Sequence, residues 1–158
     1  MRARTHARFA AMSEAKLISS LHLLALLARR LNRDAGSPAL PSLFFLTDPR
    51  RTPDPIASAS RLPAGAAVIY RHFGAADRRR TALALALVCR HRGMTLLIAA
   101  DPELAVRVGA DGVHWPESLM PPTGPGFFTA AAHDAKAVEQ ARAAGAAACL
   151  LSPVFATD

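Results

Sequence analysis

Aromatic residues are scarce in this sequence: they make up 6% of its 158 residues, and Trp115 is the only tryptophan. Hydrophobic residues still account for 51% of the chain, so the core must be built mainly from Ala, Leu and Val. The two cysteines, Cys89 and Cys149, stand in apolar runs without a Cys-x-x-Cys pair or other ligand spacing. We therefore exclude a disulfide framework and a cysteine metal site, and interpret both residues as buried thiols.

Long apolar runs are missing as well. The best candidate, Leu17–Ala28, is shorter than the roughly 18 residues that a membrane span needs, and it contains His22. The basic residues at the start are not followed by a clean apolar segment with a small-residue cleavage site, so they do not resemble a secretion signal. The sequence therefore predicts a cytoplasmic protein with no membrane partner.

Acidic residues are outnumbered and lysine is nearly absent. Lys and Arg together number 19 against 12 Asp and Glu, which gives a net charge of +7 and a pI near 10.9. All but Lys16 and Lys136 of these basic residues are arginines, and they are dispersed apart from the cluster Arg78–Arg80. No aromatic residues interleave with that cluster, so we expect no nucleic-acid partner and interpret it as a solvated helix face.

The apolar pattern predicts alternating strands and helices. We expect strands at Leu43–Leu46, Ala67–Tyr70, Thr95–Ile98, Gly112–Trp115, Phe127–Thr129 and Ala148–Val154, the first one buried on both faces. We expect helices at Ser13–Asn32, Asp77–Arg92, Pro102–Val108 and Ala135–Ala144, with Asp101 and Asp134 as N-caps of the last two. This alternation implies parallel βα units.

Either a (β/α)₈ barrel or an open doubly wound sheet satisfies this pattern. An open sheet would be favoured by a glycine-rich phosphate loop after the first strand, but residues 47–55 read TDPRRTPDP. We therefore favour an α/β fold of the (β/α)₈ TIM-barrel type, with about six of its eight βα units present in residues 43–158. Residues 1–42 are expected to form an N-terminal extension with one helix and a Pro/Gly linker.

In both architectures functional side chains gather at the carboxyl ends of the strands. There the sequence offers Thr47, Asp48, Arg71, His72, Asp101, His114, Trp115 and His133, together with residues from Ser152 onwards. His114 has two open interpretations, a ligand contact or a structural hydrogen bond to a neighbouring segment.

Four segments, taken in order, resemble the thiamine phosphate synthase/TenI family. They read LFFLTD (43–48), IYR (69–71), DPELAVRVGADGVHWPE (101–117) and AAHDAKAVEQARAAGAAACLLSPVFATD (131–158). The resemblance implies a (β/α)₈ barrel. Its synthase members join an aminopyrimidine pyrophosphate to a thiazole phosphate with Mg²⁺ and release pyrophosphate. Its TenI-like members include a metal-independent aminothiazole tautomerase.

The resemblance also implies roles for individual residues. His133 matches the histidine that takes part in proton transfer in the tautomerases, and imidazole suits such a role near neutral pH. Arg71 matches an anion contact of the synthases, and Thr157 resembles a threonine that meets the thiazole phosphate. With His114 as a further substrate contact, these residues are the expected site.

The expected Mg²⁺ ligands are replaced. Synthases carry metal-binding aspartates at the positions of Ala100 and Leu119, and Mg²⁺ prefers carboxylates together with substrate phosphates. Asp101 and Glu117 are the acids nearest to these two positions, so they are the candidate ligands of a rebuilt metal site, together with Asp48. Because both expected aspartates are replaced, the Mg²⁺ that the resemblance implies is doubtful.

Three functions stay open on the sequence alone. The chain is a divergent synthase acting on phosphorylated thiamine precursors, a tautomerase that uses His133 without metal, or a non-catalytic ligand-binding or regulatory protein. The oligomeric state is open too, a homo-oligomer included.

Overall fold

The computed structural model describes residues 14–37, 39–120 and 126–155. Its helices are α1 (Glu14–Asp34), α2 (Pro55–Ala59), α3 (Arg78–His91), α4 (Pro102–Val108) and α5 (Ala135–Ala143), with a short 3₁₀ turn at Glu117–Leu119. Its strands are β1 (Phe44–Leu46), β2 (Ala67–Tyr70), β3 (Thr95–Ala99), β4 (Gly112–Trp115), β5 (Phe127–Ala132) and β6 (Ala148–Leu151). All six predicted strands are confirmed, but β5 extends three residues further than expected and β6 ends three residues earlier.

The six strands form one parallel sheet in the order β1-β2-β3-β4-β5-β6. Each strand pairs with the next one in the chain; Leu46, Ile69 and Leu97, for example, are neighbours across β1, β2 and β3. A doubly wound sheet reverses its strand order at one point, whereas a barrel adds strands in sequence. The observed order therefore identifies a half-barrel of the (β/α)₈ type, as predicted.

The core lies on both sides of the sheet. Outward-facing residues of β2 and β3, including Tyr70, Leu96 and Ile98, pack against Leu85 and Cys89 of α3. A smaller inner cluster holds the residues that face the other way: Ile69, Leu97 and Ala99, with Phe44, Leu46, Phe127 and Leu150 against them. Because β2 and β3 are covered on both faces, they read as continuous apolar runs.

The outermost strands are less buried than the sequence suggested. We expected β1 to be buried on both faces, but all three of its residues are half-buried, because β2 is its only neighbour among the described strands. Cys149 on β6 is likewise half-buried, whereas Cys89 is buried as predicted. Burial, with a smaller contribution from the Asp111 charge, raises the pKa of Cys89 to about 11, so this thiol stays protonated and unreactive.

Helix caps position the loops that follow the strands. The carboxylates of Asp101 and Asp134 accept hydrogen bonds from the backbone N–H of Leu104 (2.9 Å) and Ala137 (2.7 Å), which confirms both predicted N-caps. Helix α2 was not expected, because its surroundings are rich in proline and arginine. Its start is marked by Asp54, which caps Ala57 at 2.9 Å, and by Pro55 in the first turn.

Helix α1 ends two residues beyond the predicted Asn32, and the predicted start at Ser13 lies outside the described residues. It contacts the barrel through the Arg29 guanidinium, which donates to the carbonyl of Ala64. Asn32 donates to the carbonyl of Leu40 at 3.0 Å. Within the described ranges, no helix combines the length and apolar character needed to cross a membrane.

Candidate functional site

A cleft of about 870 Å³ opens at the carboxyl ends of the strands. Five strands contribute Leu46, Ala99, His114, Ala132 and Leu151 to its wall, and the loops add Arg71 directly after β2, Phe73, Glu117 and His133. The cleft therefore gathers five of the residues singled out from the sequence: Arg71, His114, Glu117, His133 and Ser152. Asp101 does not line it, and Thr157 lies outside the described residues.

His133 and Glu117 form a hydrogen-bonded pair at the rim of the cleft. The ring Nδ1 of His133 lies 2.6 Å from Oε2 of Glu117, and the His133 side chain is 65% exposed. An ionised carboxylate only accepts hydrogen bonds, so we assign Nδ1 as the donor to Glu117, which leaves Nε2 for a ligand. Glu117 was expected as a metal candidate, and in the structure its carboxylate contacts the His133 imidazole.

His114 is held deep in the wall. Its Nδ1 lies 2.9 Å from Oγ1 of Thr129 on the neighbouring strand, and both side chains are buried. Burial, together with the nearby charge of Arg71, lowers the pKa of His114 from 6.5 to about 4. The ring is therefore neutral near pH 7. Both interpretations of His114 stay open, because it bonds an adjacent strand and also lines the cleft.

Arg71 supplies positive charge to the cleft. Its backbone N–H donates to Oγ1 of Thr47 at 2.9 Å, which ties the end of β2 to the end of β1. The guanidinium forms no ion pair with a carboxylate of the described residues. The Asp48 carboxylate accepts hydrogen bonds from the backbone N–H groups of Arg51 and Arg50, and these two bonds lower its pKa more than the nearby charge of Arg71 does. Arg71 is therefore available to an anionic ligand.

The residues present do not fit a Mg²⁺ site. Asp101 caps α4 and lies 3.6 Å from Nε of Arg78, Glu117 holds His133, and Asp48 closes its own turn. In the part of the chain that the structure describes, no three His, Cys, Asp or Glu side chains form a group suited to a metal. Ala100 and Leu119, where the family's carboxylates are expected, have no ligand atoms in their side chains.

Two further residues depart from expectation. His72 was counted among the strand-end residues, but it is buried against the ring of Tyr70 (centroids 5.1 Å apart) and is absent from the cleft lining. Arg78 was interpreted as part of a solvated helix face. Instead its side chain is 14% exposed and its Nη2 donates to the carbonyl of Ala99 at 3.0 Å. An arginine in a basic run gives no sequence signal of such burial.

Acid is expected to destabilise the fold through His114. Its pKa is 6.5 when unfolded and about 4 when folded. Between these values the unfolded state binds more protons, so stability falls as the pH drops from about 6.5 to about 4, by roughly 3 kcal/mol in all. In the His114→Gln variant, the free energy of unfolding measured in urea should depend less steeply on pH between about 6.5 and 4. Equal slopes for the wild type and His114→Gln would contradict the assignment.

Comparisons with known proteins agree with this geometry. Residues 43–158 match the family model described as thiamine monophosphate synthase. The thiamine-phosphate synthase of Bacillus velezensis is 28% identical over 142 residues, which cover 82% of this chain and 63% of that protein. That of Marinobacter nauticus is 45% identical over 80 residues, covering 47% of this chain and 36% of its own.

A solved structure shares the fold. The thiamine phosphate pyrophosphorylase from Pyrococcus furiosus superposes with a TM-score of 0.60 at 22% sequence identity, and the match covers 73% of this chain and 62% of that one. The chain thus spans less than two thirds of the length of each of these proteins.

Proposed function

Because this chain belongs to the thiamine monophosphate synthase family, we propose that it acts in thiamine biosynthesis: it binds phosphorylated thiamine precursors in the cleft and joins an aminopyrimidine pyrophosphate to a thiazole phosphate. In that reaction the thiazole nitrogen forms a bond to the pyrimidine methylene carbon. The bond from that carbon to the pyrophosphate oxygen breaks, and pyrophosphate leaves with the electron pair. The products are thiamine phosphate and pyrophosphate.

The observation that carries the proposal is the meeting of Arg71 with the His133–Glu117 pair in one cleft at the strand ends. A guanidinium presents a planar fork of donors that matches phosphate oxygens, and charge-assisted hydrogen bonds of this kind are stronger than neutral ones. Arg71 therefore binds the anionic end of a precursor and stabilises the charge that develops as pyrophosphate departs.

His133 handles a proton or a hydrogen bond at Nε2. The carboxylate of Glu117 fixes the ring orientation and the proton on Nδ1. In the neutral ring, Nε2 accepts a proton; in the imidazolium, it donates a hydrogen bond to a phosphate oxygen, with Glu117 balancing the positive charge. No step is assigned to Mg²⁺, since the described residues do not fit a carboxylate-held metal.

Both curated relatives are named as thiamine-phosphate synthases, which supports the transferase over the tautomerase. The test is to incubate the full chain with both precursors, with Mg²⁺ and separately with a chelator, and to measure thiamine phosphate and pyrophosphate. We expect both products in equal amounts. Isomerisation of an aminothiazole without coupling would replace the transferase by the tautomerase, and absence of both product and precursor binding would refute the proposal.

Replacement of Arg71 by alanine is expected to weaken binding of inorganic pyrophosphate by about tenfold to a hundredfold, the value of one or two charged hydrogen bonds. Titration calorimetry measures this directly. Arg79→Ala removes the same charge from an exposed position on α3 and serves as the matched control. Equal losses in the two variants would mean that only net charge matters and that Arg71 does not contact the ligand.

A further inference from the structure

Phe73 is an aromatic residue in the cleft that the proposed function has not used. It follows Arg71 by two positions in the loop after β2, and it is 53% exposed while lining the cleft. An exposed aromatic ring is not unusual alone, but this one stands in a concave site beside a free cation.

The Phe73 ring packs against the side chain of Arg78, and we call this contact the brace. Cζ of Arg78 lies 5.2 Å from the centroid of Phe73 and 5.6 Å from that of Tyr70. Arg78 is itself held by its bond to the carbonyl of Ala99 and by the Asp101 carboxylate 3.6 Å away. A cation over the face of an aromatic ring is attracted by the negative charge of that face. Phe73 is therefore kept in place by a largely buried side chain that is tied to β3 and α4.

We propose that Phe73, braced by Arg78, is a stacking platform for a planar heteroaromatic ring bound in the cleft. The inference deepens the proposed function and rests on it: Arg71 takes the phosphate end of a precursor and Phe73 takes its ring. A phenyl side chain that is already immobilised loses little conformational freedom when a ring stacks on it, which favours binding. Stacking discriminates planar rings from other groups without needing a hydrogen bond, so Phe73 also contributes to specificity.

The test separates the ring from the phosphate. The probes are the dephosphorylated aminopyrimidine, which carries a ring and no phosphate, and inorganic pyrophosphate, which carries no ring. Phe73→Leu keeps an apolar side chain at an exposed position, so the variant is expected to fold, and circular dichroism checks this. We expect it to bind the aminopyrimidine about tenfold more weakly, a typical loss for one aromatic stack, and to bind pyrophosphate as the wild type does.

Arg78→Met removes the brace and should weaken binding of the aminopyrimidine, whereas Arg79→Met, an exposed neighbour on the same helix, should not. If Phe73→Leu binds the aminopyrimidine as tightly as the wild type does, the platform is refuted while the proposed function stands. If Phe73→Leu binds the aminopyrimidine and pyrophosphate more weakly by the same factor, Phe73 supports the shape of the cleft as a whole and the stacking assignment is wrong. If the wild type binds neither probe nor either precursor, the proposed function fails and the platform with it.

Discussion

Gly112→Ala is expected to destabilise the protein severely. A Cβ at this position would lie 1.9 Å from the carbonyl oxygen and 2.9 Å from the carbonyl carbon of Phe127, both backbone atoms of the paired strand β5. A rotamer change cannot relieve this contact, so β4 and β5 would have to move apart. Overpacking that side chains can absorb costs about 1–3 kcal/mol, and we expect at least about 3 kcal/mol here. That is a large part of the roughly 5–15 kcal/mol that stabilises a domain.

Urea unfolding, or the soluble yield if the variant does not fold, measures this effect. Gly145→Ala is the matched control, because Gly145 has a φ of +85° but nothing within 4 Å of an added Cβ. The control should lose only the cost of a left-handed alanine, about 1–2 kcal/mol. A Gly112→Ala variant no less stable than the control would show that the strands tolerate the separation.

His133→Gln is expected to have the largest effect on turnover. If His133 handles a proton, its loss should lower kcat by about 10²–10⁴-fold, the usual contribution of a general acid or base. Binding of the precursors should weaken less than kcat falls, since Arg71 and the other walls of the cleft are untouched. The measurement is steady-state kinetics of the coupling reaction, with precursor affinity determined separately by calorimetry.

Glu117→Gln tests what the carboxylate contributes to the His133–Glu117 pair. Glutamine retains an oxygen that accepts from Nδ1 but loses the charge that stabilises an imidazolium, so a smaller fall in kcat is expected. The double variant should be no slower than His133→Gln alone, because residues that act as a unit are non-additive. Multiplied effects, or a His133→Gln enzyme with wild-type kcat, would contradict the assignment.

Local sequence patterns predicted most of the secondary structure. The strands β2 and β4 have their predicted bounds, and helix α4 begins after Asp101 and ends before Gly109, whose φ of +64° ends the helix in the left-handed conformation. Such signals depend on the residue and its near neighbours, so they can be read along the chain. Helix α2 was missed because five residues are too few to show a helical period, and its Asp-Pro start resembles a turn.

The candidate site was predicted less completely. The rule that function gathers at strand ends indicated Arg71, His114 and His133, and all three line the cleft. It also indicated His72, which points to the outer layer instead. The partnership of Glu117 with His133, across the sixteen positions that separate them, depends on two loops meeting in space. Glu117 was a metal candidate because it is the acid nearest to Leu119, where the resemblance places a metal-binding aspartate.

By itself the sequence determined the alternation of strands and helices, the barrel-type fold and the strand ends that form the cleft. Periodicity and capping residues are local signals, and in parallel α/β folds the carboxyl ends of the strands meet at one edge of the sheet. Only the tertiary structure decided which side chains meet there. In the folded chain Glu117 contacts His133, the Arg78 side chain packs against the Phe73 ring, and burial lowers the pKa of His114. Each of these depends on burial and on distances between residues far apart in the chain, and neither quantity is encoded at a single position.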